Sequence, residues 1–192
     1  MKNLKDMTLE ELWQLFPIIL TEHNPSYKLW YGEEKSQICK ALQNRNICRI
    51  NHIGSTAVCG LLAKPTVDIL VELPADYDMD GITELIQALD WGLMSRNTSE
   101  KIMAFAKGYT PLGFADRVFH LHVKPHGDWG ELYFRDYLRA HGNIAEQYGD
   151  LKRQLKDTFE HNRDAYTNAK TEFVLEYTRL ARLEFYERYL PE

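Results

Sequence analysis

The amino-acid sequence predicts an α+β fold, a mixed β-sheet flanked by helices with a helical C-terminal half. Three observations carry this. Runs rich in apolar and β-branched residues, near Ile47–Ile53 and at Thr66–Leu73, read as two central strands. Two further strand-like runs follow, at Lys101–Lys107 and Arg117–Val123. From Trp129 onward the pattern is helical almost throughout, and strands gathered ahead of helices suggest helices packed on one side of a sheet.

Each element has its own signal. Thr8 and Glu11 have capping-box spacing, and Leu9, Leu12, Trp13 and Phe16 recur at helical intervals, so a first helix is expected over about Thr8–Phe16. Pro17 and Pro25 interrupt the pattern. A second helix is expected from about Leu29 through Asn46, with Trp30, Ile38, Cys39 and Leu42 turned inward. The first strand ends at Gly54-Ser55, and a loop through Pro65 leads to the second, which Pro74 and an acidic run close. Ile82, Leu85, Ile86 and Leu89 mark a short helix. Between the last two strands, Gly108, Pro111 and Gly113 predict a turn or loop. Asn143 and Glu146 can cap one C-terminal helix, and Asn162 or Asp164 can begin another. The 192 residues are expected to form one domain, strand-rich over about 47–123 and helical over about 129–190.

Composition narrows the function classes. A net charge of -5 lacks the basic footprint of a general nucleic-acid binder, so long polynucleotide partners are disfavoured. Cys39, Cys48 and Cys59 are odd in number and form no Cys-x-x-Cys pair, which supports neither a disulfide framework nor a thiolate zinc site. The N-terminus lacks the apolar stretch of a signal peptide, and no apolar run is long enough to span a bilayer, so a cytoplasmic location without a membrane partner is expected.

The stretch HIGSTAVCGLLAKPTVDILVE, His52–Glu72, joins a Gly-Ser turn to an acid on a buried strand. Gly54 lets the backbone approach a ligand closely, and the Ser55 hydroxyl can donate to phosphate oxygens. Asp68 either holds a cation beside those phosphates or pairs with a structural Lys or Arg, because an unpaired carboxylate inside an apolar strand is costly. Residues two apart on a strand share a face at about 6.6 Å, and residues four apart lie about 13 Å away. Glu72 is therefore too far from Asp68 to share a metal and reads as a strand-end surface acid, while Leu70 occupies the position that could share one. His120 and His122 have the two-residue spacing, which suits metal ligation, phosphate contact or a packed hydrogen-bonded pair. His52, just before the Gly-Ser turn, either joins them or hydrogen-bonds the loop, and the structural role is favoured. Lys64 is well placed for the Gly-Ser loop. Arg135 and Arg139, four apart, either clamp a triphosphate or pair with Asp136 or Asp150. Lys152 and Lys170 are further cations of unfixed direction.

This stretch, with HLHV, FRDYLRAHG, YGDLKRQL and DAYTNAK in order, resembles the GrpB family, a group within the nucleotidyltransferase superfamily of the polymerase-β type. The match runs from about Trp30 to Val174. The resemblance implies a nucleotidyltransferase-like sheet, with Gly54 and Ser55 as the phosphate loop and Asp68 as the first acid for Mg²⁺, or Mn²⁺. Leu70 stands where a second acid would be, and His120 or His122 stands at the third strand position. The expectation is a protein that binds a nucleotide or small phosphorylated molecule and transfers a nucleotidyl group to a small acceptor, with Asp68 catalytic, Asp68, His120 and His122 at the metal, and Lys64 with Arg135 or Arg139 neutralising charge. A catalytically silent binding module and a metal-dependent phosphohydrolase are its rivals, and a third reading makes the helix bearing Phe185, Tyr186 and Tyr189 a homodimer surface.

Overall fold

The structure is a computed structural model that describes residues 2–43 and 47–191. Helix α1 (Leu9–Leu15) begins at the expected capping box: the Glu11 amide donates to Thr8 Oγ1 at 3.2 Å, and the Thr8 amide donates to Glu11 Oε2 at 2.7 Å. Helix α2 (Ser26–Ala41) starts three residues before the expected Leu29, directly after Pro25, whose fixed φ suits a helix start. The expected extension of α2 to Asn46 reaches residues 44–46, which lie outside the described residues.

Five strands form one mixed sheet in the order β1-β2-β5-β4-β3. They are β1 (Arg49–Ile53), β2 (Thr66–Leu73), β3 (Gly92–Asn97), β4 (Ile102–Thr110) and β5 (Gly113–Pro125). The central pair β2–β5 is parallel and the other pairs are antiparallel. Strand β3 has no counterpart in the sequence reading. All six of its residues are exposed and it forms the sheet edge, so burial imposes no apolar alternation on it. The loop expected over residues 108–113 is mostly strand, because β4 runs on through Gly108 and turns only at Pro111 and Leu112. Gly108 allows this with φ +91° and with its α-carbon against the Arg117 carbonyl, which a Cβ would meet at 2.2 Å.

Helices cover both faces, not one. Odd-numbered residues of the central strands, Val67, Ile69, Val71, Phe119, Leu121 and Val123, pack with α2 and with α3 (Met79–Gln87) in the main core. The even-numbered face receives the C-terminal helices: α4 (Gly130–Ala140), α5 (Gly142–Phe159), α6 (Arg163–Asn168) and α7 (Thr171–Glu184). There Leu70, fully buried, packs with Ile53 of β1 and Leu132 of α4. Glu72 is also fully buried, which corrects the surface-acid expectation. Its strand is central, and Arg49, opposite it in register on β1, sends Nε to Oε2 and Nη2 to Oε1 at 2.7 Å each. Tyr189 turns inward as well: its ring packs on Tyr133, and its hydroxyl meets Arg135 and Asp136. Tyr186 stays 76% exposed. Among the described residues no helix is long and apolar enough to cross a membrane.

Candidate anion site at the Gly-Ser turn

On the even face of β2 and β5, beside the turn that follows β1, the side chains of Asp68 and His122 stay partly exposed. Gly54 takes φ +71° there, and a Cβ on it would stand 2.3 Å from Asp68 Oδ2. Ile53 is Asp68's register partner, so the chain leaves β1 directly across the acid, and only glycine fits both the left-handed backbone and the space.

Asp68 and His120 are parallel register partners, which brings their side chains together. His120 Nδ1 lies 3.2 Å from Asp68 Oδ1, and His122 Nε2 lies 3.9 Å from the same oxygen. The other His120 nitrogen, Nε2, meets the Tyr109 hydroxyl at 2.8 Å, and that hydroxyl accepts from Arg163 Nη2 at 3.2 Å. These bonds assign a consistent tautomer: Arg163 donates to Tyr109, Tyr109 to His120 Nε2, and His120 Nδ1–H to Asp68. Burial works to raise the Asp68 carboxyl's pKa, but interactions with His120 and His122, their hydrogen bonds foremost, outweigh it and hold the acid well below the usual carboxylate range. The partners anticipated for a structural Asp68 were Lys or Arg; the structure supplies imidazoles instead.

Three lysines arrive from distant elements. Lys152 of α5, 2% exposed, donates to Ser55 Oγ at 3.0 Å and to the Leu62 carbonyl. Lys64, just before β2, and Lys170, between α6 and α7, both lie against the ring of Tyr166, at 5.8 and 4.3 Å. None of these lysines, nor Arg163, forms an ion pair with a carboxylate among the described residues, and each is held by neutral groups. Burial and the neighbouring cations lower all three ammoniums: Lys152 to about 7, with Lys170 and Lys64 as its nearest like charges, and Lys64 and Lys170 to about 8 despite the opposing pull of Asp68. Tyr166 itself is fully buried, and its hydroxyl has no hydrogen-bond partner among the described residues. Such a group costs free energy until something bonds it.

Of the residues singled out in the sequence, the structure thus gathers Gly54, Ser55, Lys64, Asp68, His120, His122, Lys152 and Lys170. It places the two arginines elsewhere. Arg135 is buried with its donors bonded to Asp136, Asn51, the His52 carbonyl and Tyr189. Arg139 holds the Ala57 carbonyl through Nε and Nη2, at 3.0 and 2.8 Å, and pairs with Asp136. Both tie α4 to β1 and the turn. His52 is structural, bonded to Thr56 Oγ1 at 3.0 Å and stacked on Tyr31, and burial lowers its pKa to about 4. Tyr109 and Tyr166 have no counterpart in the sequence expectations, and Arg163 stands there only as one cation of the helical half. The three-residue spacing of Arg163 and Tyr166 was a signal for that pair, since residues three apart share a helical face, while Tyr109 fell in the stretch expected to turn.

Magnesium takes about six hard oxygen ligands and is usually held through carboxylates and ligand phosphates. The donors here are one carboxylate, already bonded to His120, and two imidazoles, with Leu70 packed in the core and Glu72 occupied by Arg49. Among the described residues no group of three His, Cys, Asp or Glu is arranged to hold a metal ion. This set does not fit magnesium, and no step below is routed through one.

Fold and site together define an α+β protein with a cation-lined Gly-Ser turn. The chain belongs to the GrpB family, whose pattern, described as GrpB protein, matches residues 17–180. It is 32% identical to the glutamate-rich protein GrpB of Alkalihalophilus pseudofirmus over 161 residues, covering 82% of this chain and 91% of that one. It is 35% identical to a UPF0157 protein of Pseudomonas aeruginosa over 152 residues, 79% of this chain but only 62% of the relative's length. The crystal structure of conserved protein GrpB from Enterococcus faecalis superposes with a TM-score of 0.74 at 26% identity, over 88% of this chain and all of that one.

Proposed function

We propose that the turn binds a nucleotide or another small phosphorylated molecule, with its phosphate among Ser55, Lys64, Lys152, Lys170 and Arg163. The observation that carries this reading is the convergence of four cations on one small region, where Asp68 is bonded to histidine and none of the four is ion-paired with a carboxylate among the described residues. Burying unpaired cations is expensive, and an entering phosphate supplies the missing charge with oxygens for the Ser55 and Tyr166 hydroxyls. His122 lies beside Asp68 with a third of its side chain exposed and offers a further donor. Binding without metal-assisted transfer is the form of the proposal that the donor set supports, and Leu70 supports it too. The test is thermal shift and calorimetry with inorganic pyrophosphate and ATP, in EDTA and again with Mg²⁺ or Mn²⁺. A ligand of the folded state raises the melting temperature. The expected result is stabilisation by at least one of these compounds in EDTA, reduced at least tenfold in affinity by Lys152→Met and by Lys170→Met. No response from the wild type, or full affinity in both variants, overturns the reading.

A further inference from the structure

A cleft of about 220 Å³ opens beside the lysine cluster, and Lys64, Tyr109 and Arg163 line it as well as the anion site. Its floor is the Thr66–Val118 register pair, the next pair along the same sheet face from Asp68–His120. Residues two apart on a strand lie about 6.6 Å from each other, so the floor begins one short step from the acid. Ile18, Ile19 and Phe114 give it apolar surface, and Asp116 adds one carboxylate to the lining. Lys64 and Arg163 beside this apolar surface match a ligand with a charged head and a compact body.

We infer that this cleft receives the organic body of the phosphorylated ligand, a flat or apolar group of nucleobase or single-ring size, laid over Thr66 and Val118 with its phosphate at Lys64 and Arg163. This rests on the phosphate reading above and extends it. The chemistry excludes a bare polyphosphate or a strongly hydrated sugar phosphate as the preferred ligand, since neither uses the apolar surface. A nucleobase and a simple aromatic ring share that chemistry, and separate probes tell them apart.

Calorimetry of inorganic phosphate, phenyl phosphate, glycerol 3-phosphate and AMP on the full chain, in EDTA, provides the test. Phenyl phosphate, AMP or both are expected to bind at least tenfold tighter than inorganic phosphate and glycerol 3-phosphate. AMP tightest assigns the body to a nucleoside; phenyl phosphate tightest assigns it to a smaller ring. Ile19 is 41% exposed on the cleft wall, so Ile19→Trp fills the space without opening the core. That variant is expected to lose the tenfold advantage while keeping its affinity for inorganic phosphate, and Ile19→Ala is expected to keep both. Equal affinity for all four probes, or an undiminished advantage in a folded Ile19→Trp variant, overturns the inference and leaves the phosphate reading standing. Failure of every probe to bind overturns both.

Discussion

Lys152 sets its ammonium 3.0 Å from the hydroxyl of Ser55, a residue 97 positions earlier in the chain, inside a side-chain environment that is 2% exposed. The bond joins α5 to the turn after β1 and leaves a buried cation with a hydroxyl and a carbonyl for company, but no carboxylate among the described residues. Charge that the fold leaves uncompensated has consequences measurable without knowing the ligand.

The first is a pH dependence. Lys152, Lys64 and Lys170 are lowered to about 7, 8 and 8, whereas the unfolded chain holds its lysine protons to about 10.4. Between those values the unfolded state binds more protons than the native one, so stability rises with pH across roughly pH 7–10 and is least where the lysines are charged. The apo melting temperature should therefore climb from pH 7 toward 9, and stabilisation by pyrophosphate should shrink over the same interval. Lys152→Met should flatten the slope. An identical slope in that variant would show that the rise comes from other groups.

Gly54 supplies the second prediction. Gly54→Ala forces a side chain into φ +71° and puts its Cβ 2.3 Å from Asp68 Oδ2. The left-handed backbone alone costs about 1–2 kcal/mol, and moving the acid away from His120 adds to it. Denaturant midpoints should drop accordingly, with pyrophosphate affinity lost as the turn shifts. A variant as stable as the wild type would mean that the turn relaxes freely.

Much of this site is visible in the sequence because it is built from local devices. The Gly-Ser turn, the buried strand carrying Asp68 and the two-residue spacing of His120 and His122 are all short-range patterns. The lysines were visible only as residues, because their convergence depends on how α5 and the segment after α6 cross the sheet. Arg135 and Glu72 mark the limit more sharply. Spacing put Arg135 and Arg139 on one helical face, yet spacing carries no information about which strand that face meets, and α4 meets β1. Glu72 looked like a strand-end acid until register placed Arg49 opposite it. Edge strand β3 left no signal, since nothing buries it.

Asp68→Asn tests the acid. A carboxyl held below its usual range takes up its proton later than it does in the unfolded chain, so the stability it provides is intact above about pH 4 and lost as pH falls below that. The variant should lose about 1.5–3 kcal/mol at neutral pH, the scale of a charge-assisted hydrogen bond, and show a flatter acid limb. It should also bind pyrophosphate more tightly in EDTA, because a carboxylate opposing the anion is gone. Weaker binding, or binding that requires Mg²⁺ in the wild type and vanishes in the variant, would instead make Asp68 a metal ligand.

The Arg49–Glu72 pair offers a prediction that separates folding from binding. Glu72 is fully buried and accepts from Arg49 Nε and Nη2 and from the Gly127 amide, the last at 3.2 Å. Glu72→Gln keeps the shape but strands the guanidinium, and breaking a buried pair costs about 3–5 kcal/mol. The low end is expected, since 21% of the Arg49 side chain is exposed and its Nη1 and Nη2 also donate to the Tyr189 and Gly127 carbonyls. Adding Arg49→Met to the variant should cost little more, because the charge left without a partner is then removed too. Four strand positions, about 13 Å, separate Glu72 from Asp68, so pyrophosphate affinity of the folded fraction should match the wild type in both variants. Urea denaturation and calorimetry on the same samples check the two halves. A stable Glu72→Gln protein would remove the pair from the folding account, and a stable protein with weakened binding would tie this end of β2 to the anion site.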